Sequence, residues 1–296
     1  MRPIVVGVDG SRSALHAVRW AATEAGRRAA ALRLVHVCAL VPPGHSDPVA
    51  LLGEYADGLL GQGRQWLAEA TDAARGIDNT LEIDTDLRDG VTTKVLAEES
   101  AAACMVVLGS RGLGGFAELL VGSVAVTLAA HARGPVVVVR SSTVDSEPPV
   151  TGPVVVGVDG SPLSEAAIPF AFEAAAARSV PLRAVHTWLD IDLAGSWIPL
   201  PSIVDWAAVH ANEERILAER LAGWQEKYPT VEVQRIVTKD RPARALLRRA
   251  EDAQLIVVGS RGRGGLAGLS LGSVSQTLLH KAPCPVAVIR PELSRP

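Results

Sequence analysis

With 296 residues, 48% of them apolar, and 29 basic against 32 acidic side chains, the chain is long enough for two cores. Its net charge of -3 gives no reason to expect nucleic acid or an anionic membrane as partner. Three cysteines, Cys38, Cys104 and Cys284, are an odd number set largely in or beside apolar runs, which argues against a disulfide framework and for reduced, buried thiols. The sequence has no 18-residue apolar stretch and no signal-peptide pattern at its start, so a cytoplasmic protein is expected.

In chain order, IVVGVD at 4–9 predicts a strand, and Ser11 is placed to cap a helix over 12–30. LRLVHVC at 32–38 predicts a second strand, followed by a helix over 51–75 and a third strand at 81–87. Asp89 is placed to cap a helix over 91–102. MVVLGS at 105–110, a helix over 122–132 and PVVVVR at 135–140 complete the series. The first and fourth strands are almost continuously apolar, as central strands covered on both faces should be. Short β-branched runs alternating with longer amphipathic stretches specify parallel strands joined by crossover helices.

Residues 141–152 are polar, carry a proline pair and read as an exposed linker. The plan then begins again. PIVVGVDGS at 3–11 returns as PVVVGVDGS at 153–161, and GSRGLGG at 109–115 as GSRGRGG at 259–265, both 150 positions on. The same offset relates Leu32-Arg33 to Leu182-Arg183, Val35-His36 to Val185-His186, and Arg140 to Arg290. Strands are expected near 154–159, 182–188, 231–237, 255–260 and 285–290, with Pro242 in the first turn of a helix.

The fold class is therefore α/β: two tandem doubly wound domains, 1–141 and 152–296, each a five-stranded parallel sheet with helices on both faces. Right-handed crossovers and a strand order of 3-2-1-4-5 put strand 1 beside strand 4 at a topological switch point, where ligands of open α/β sheets bind. The final strands each begin at a proline, and an unpaired edge invites a partner. The two units are expected to pair through these strands about a pseudo-twofold axis.

After strand 4 come Gly109, two residues, Gly112, nine residues and Gly122-Ser123; Gly259, Gly262 and Gly272-Ser273 repeat that spacing. Glycine allows a tight turn or close approach of the backbone to a ligand. Ser123 and Ser273 open helices, whose free N–H groups and dipole favour phosphate. A tight turn with a helix cap would explain one copy equally well, and two copies at identical spacing favour a phosphate site. Gly112-x-Gly114-x-x-Ala117 is not a dinucleotide fingerprint, because it follows strand 4 and has no acidic residue about 20 positions on. A P-loop is excluded by the absence of Lys before Ser123 or Ser273.

These residues resemble the universal stress protein family, and specifically its tandem, ATP-binding members, over essentially all of both units. The resemblance implies ATP, with Mg2+, as cofactor. It implies that Gly7, Val8 and Asp9, and Gly157, Val158 and Asp159, form the loop after strand 1, and that backbone near Val37 and Thr187 meets adenine. Leu108 and Gly109, and Val258 and Gly259, would line adenine and ribose. Arg111, Gly112, Gly122, Ser123 and Val124, and Arg261, Gly262, Gly272, Ser273 and Val274, would hold the phosphates. It further implies a nucleotide-dependent regulator in stress response, leaving open whether whole chains form homodimers and which protein partner they meet.

Several residues have two readings. Asp9 and Asp159 either bond loop amides or contact ribose or a metal, and Arg111 and Arg261 either bind phosphate or face solvent. His36 and His186, on an apolar strand, read first as hydrogen-bonded structural residues. Trp188, Trp197 and Trp206 recur every nine residues, two and a half helical turns, so they form no single stripe and read as packing or a cover. The first unit has no tryptophan in the matching segment 42–52, so the two pockets should differ in access. No Ser-His-Asp order, paired carboxylates in one loop or Cys/His metal spacing is evident, which favours a binding protein. The alternatives are a slow ATPase or nucleotidyl-transfer enzyme, a cyclic AMP-binding protein and a protein-interaction module.

Overall fold

The computed structural model describes residues 2–39, 49–113, 121–140, 146–188, 205–263 and 271–290. The expectations for Trp197, for Gly114 and Ala117, and for most of segment 42–52 and the first part of the linker lie outside these residues.

In the first half, strands β1 (Ile4–Gly7), β2 (Leu32–Cys38), β3 (Ile83–Asp89), β4 (Met105–Gly109) and β5 (Val136–Val139) alternate with helices α1 (Arg12–Arg28), α2 (Val49–Arg75), α3 (Thr92–Glu99) and α4 (Ser123–His131). The second half contains β6 (Val154–Gly157), α5 (Pro162–Glu165), α6 (Ala167–Arg178), β7 (Leu182–Thr187), α7 (Trp206–Lys227), β8 (Val233–Thr238), α8 (Pro242–Ala250), β9 (Leu255–Gly259), α9 (Ser273–Lys281) and β10 (Val286–Ile289). The expected order 3-2-1-4-5 is found in each half. All pairings within a half are parallel.

The halves join into one sheet of 10 strands through an antiparallel β5–β10 pair, with Val136 opposite Val288, Val137 opposite Ala287 and Val138 opposite Val286. Val137 and Ala287 are repeat equivalents, so a local twofold axis passes between them, and pairing removes both open edges. The core continues across this seam: Val137, Val139 and Ala287 pack on the α1/α6 side, and Val136, Val138 and Val288 on the α4/α9 side. Arg140 reinforces it, donating from Nε to the Ala282 carbonyl at 3.0 Å, from Nη1 to Leu279 at 2.6 Å and from Nη2 to His280 at 2.9 Å. A residue of the first half thus satisfies carbonyls that the end of α9 leaves free.

Three local expectations change. β3 runs two residues further than the 81–87 expected, because β2 offers ladder partners as far as Cys38, in register with Asp89. Asp89 therefore stays in the strand and does not cap α3, where Val91 occupies the N-cap without a side-chain bond. The first helix of the second half is split into α5 and α6, because Pro169 lacks the N–H that would reach the Glu165 carbonyl one turn back. Ser11 caps α1 as expected, accepting from the Ala14 amide, and Pro242 opens α8.

Candidate functional site

β1 and β4 lie side by side, Val6 opposite Val107, and the chain leaves them toward opposite faces of the sheet. A crevice opens beyond their carboxyl ends, as the order requires. It holds a cavity of about 560 Å3 in the first half and about 430 Å3 in the second. Both fall in the range of small-molecule sites.

Gly7, Val8, Asp9, Val37, Leu108, Gly109, Arg111, Gly112, Gly122, Ser123 and Val124 all line the first cavity. Gly157, Val158, Asp159, Thr187, Val258, Gly259, Arg261, Gly262, Gly272, Ser273 and Val274 line the second. The walls also contain residues the sequence did not single out as site residues. Trp66, Thr92 and Leu96 enter the first from α2 and α3, and Pro242, Leu246 and Arg263 enter the second. Leu96 and Leu246, identical residues 150 positions apart, and Thr92 and Pro242, the paired first residues of α3 and α8, were the ones a repeat alignment could have flagged.

Asp9 joins the two loops. Its Oδ1 accepts the Ser11 amide at 3.0 Å and its Oδ2 the Leu113 amide at 3.2 Å, while Ser11 Oγ donates to the Arg111 carbonyl at 3.2 Å. Asp159 repeats this, taking the Ser161 amide at 2.8 Å and hydroxyl at 2.7 Å on Oδ1 and the Arg263 amide at 2.9 Å on Oδ2. Burial pushes the Asp159 carboxyl up, but hydrogen bonds from Ser164, Ser161 and the Arg263 amide outweigh it and hold the pKa below its ordinary value. The loop-bonding reading of both aspartates is thus realised.

The three glycines of the motif have different reasons. A Cβ on Gly109 would lie 2.6 Å from the Ser13 carbonyl carbon, so close packing of the start of α1 requires glycine there. On Gly112 it would lie 2.4 Å from Asp9 Oδ2, so the carboxylate bridge requires it. On Gly122 it would meet no described residue nearer than 3.8 Å, and φ -69°, ψ 148° suits any residue. Gly122 is the N-cap of α4 with no side-chain cap bond, and Ser123 is the exposed first residue of the helix. Its counterpart Gly272 is tighter, 3.1 Å from Arg261 Cα.

His36 Nδ1 lies 2.7 Å from the Val8 carbonyl, and since a carbonyl only accepts, that nitrogen carries the proton. The ring stands edge-on to Trp66 at 5.2 Å. His186 makes the same bond to Val158 at 2.6 Å, and its Nε2 meets Glu213 at 2.9 Å. Both are held structurally, although His36 also borders its cavity. Trp188 stacks on Trp206 at 5.6 Å beside the second cavity, with Lys239 Nζ 3.8 Å from the Trp206 ring centre. Burial, and then repulsion from Arg111, brings the pKa of Arg140 down to about 10, so the first cavity and the seam lie within electrostatic reach of each other.

The model of the universal stress protein family matches residues 1–140 and again 151–290. The chain belongs to the universal stress protein family. It is 44% identical over 295 residues to universal stress protein Rv2005c of Mycobacterium tuberculosis, covering 97% of this chain and 96% of the relative. Universal stress protein Rv2623 of the same organism is 39% identical over 300 residues, covering 98% and 97%. Among solved structures, a universal stress protein from Archaeoglobus fulgidus superposes with a TM-score of 0.67 at 19% identity, covering 98% of both chains, a likeness of fold. Among the described residues no helix is long and apolar enough to cross a membrane, and no group of three or more His, Cys, Asp or Glu could hold a metal ion.

Proposed function

We propose that each half of this universal stress protein binds an adenine nucleotide, ATP with Mg2+, and that the protein acts as a nucleotide-dependent regulator in stress response. The observation that carries this reading is Gly122. Gly109 and Gly112 are explained by the protein's own packing, whereas no described residue crowds Gly122. It borders the cavity at the uncapped start of α4, where free amides favour a phosphate and a missing Cβ leaves room for one. The adjoining wall of Val37, Leu96 and Leu108 suits a flat apolar base.

The residues present fit a phosphate-borne Mg2+ rather than a protein cage. Mg2+ is commonly held by one or two carboxylates together with substrate phosphates. A carboxylate offers about four lone-pair sites. Asp159, bonded twice by Ser161 and also by Ser164 and the Arg263 amide, retains little, whereas Asp9 uses one on each oxygen and retains capacity. The cation would offset the charge of the phosphate chain beside that aspartate. Arg111, which lines the first cavity, would bind phosphate there.

The test is calorimetry on the full chain with Gly122→Ala. Its fold should be retained, with stability within about 0.5 kcal/mol, because no described residue crowds the position and its φ is ordinary. Its ATP affinity should fall about tenfold or more, and EDTA should weaken ATP in the parent protein. Unchanged affinity refutes the reading. Phosphate release abolished by Asp9→Ala would make the protein an ATPase, displacement of ATP by cyclic AMP would change the ligand, and no bound nucleotide would leave an interaction module.

A further inference from the structure

The two cavities differ where the phosphate chain would end. In the first half Trp66 lies over Gly10, and position 113 is an exposed leucine. In the second half, Gly160 (φ 78°) occupies the place of Gly10 (φ 79°), and two guanidiniums take the place of the indole. A Cβ built on Gly160 would find Arg220 Nη2 and Arg263 Nη2 each at 2.8 Å, so arginines from α7 and from the loop after β9 converge on one point. Arg263 lines the cavity.

One carboxylate accounts for only one of these charges. Glu165 pairs with Arg220 Nη1, while Arg220 Nε is buried without a hydrogen-bond partner among the described residues. Asp159, the other nearby acid, takes the backbone amide of Arg263 and the Ser161 amide and hydroxyl. Among the described residues no carboxylate pairs with the Arg263 guanidinium. Two converging guanidiniums with one counter-charge favour an anion rich in oxygen acceptors, such as a phosphate chain. Arg261 lines the same cavity and adds to the positive field.

We infer that Arg263 and Arg220 form a phosphate-chain subsite at the rim of the second cavity, absent from the first, so that the second site selects the more highly phosphorylated ligand. This rests on the nucleotide reading of the cavities, and the first site, edged by Trp66 and Leu113, discriminates less among ligands by phosphate number.

The test is calorimetry on the full chain at fixed ionic strength, with ATP, AMP and inorganic tripolyphosphate as probes, on the parent, Arg263→Gln, Arg220→Met and Arg220→Lys. Arg263 is exposed, so Arg263→Gln keeps the fold even if Arg220→Met does not. ATP and tripolyphosphate should weaken about tenfold or more at one site, with AMP and the other site unchanged and Arg220→Lys recovering part of the loss. ATP and AMP weakened alike, or ATP unaffected, overturns the inference. Tripolyphosphate binding that depends on these arginines, without any adenine nucleotide binding, keeps the subsite and overturns the nucleotide reading. Binding of neither probe overturns both.

Discussion

Glu24 sits in α1 at the seam, and its side chain is 1% exposed. Its Oε1 takes Arg28 Nε at 2.5 Å and its Oε2 takes Arg178 Nη2 of the second half at 2.6 Å. Arg178 is also 1% exposed and lies over the Trp20 ring at 5.7 Å. One carboxylate therefore serves two guanidiniums, that of Arg178 buried and that of Arg28 partly so. Burial pushes the Glu24 carboxyl up, yet the two arginines outweigh it and hold the pKa below its ordinary 4.5. Arg178, less fully compensated, is pulled down by burial, while Arg28, which also reaches Glu173, is raised. Glu24→Gln keeps the volume and removes the charge. Breaking a buried pair from one side costs about 3–5 kcal/mol, and the partial exposure of Arg28 keeps the loss within that range. Urea unfolding at pH 7 followed by tryptophan fluorescence measures it. Because the folded pKa of Glu24 is lowered, its contribution is present above the unfolded value and is lost as pH falls through the folded one. Parent and variant should converge in acid. A loss below about 1 kcal/mol at pH 7, the range of an exposed pair, would mean that removing the Glu24 charge leaves no buried partner uncompensated. So would a loss independent of pH.

Gly112→Ala should cost about 1–3 kcal/mol and weaken ATP, since its Cβ would push Asp9 off the Leu113 amide; a melting curve and calorimetry check both. Arg140→Met should destabilise by about 1–3 kcal/mol in urea by leaving three α9-end carbonyls unbonded, and Arg140→Lys should not restore it. Burial pushes the Cys284 thiol up to about 12, so mapping of an alkylating reagent at pH 8 should find this residue labelled only after unfolding.

The strands, the helices, the duplication and the glycine spacing were legible in the sequence because each rests on short-range periodicity or on comparison of the two copies. Strand order and pairing through β5 and β10 also followed, since crossover handedness and exposed edges permit few arrangements. The β3 boundary and the α3 cap were misread because strand length is set by the partner strand, which local pattern does not contain. What several repeated residues do became visible only in the folded chain: Arg140 closes a helix of the other half, and Gly109 is crowded by the start of α1 while no described residue crowds Gly122. Glu24 carried no local sign of burial, because a charged helical residue reads as solvated until a second half brings Arg178 to it. Trp66 and Arg220 occupy matching places yet stand 154 positions apart rather than 150, so alignment of the repeat cannot pair them. The copies share the loops that depend on backbone geometry. What covers those loops comes from distant helices whose register is fixed only when the sheet assembles.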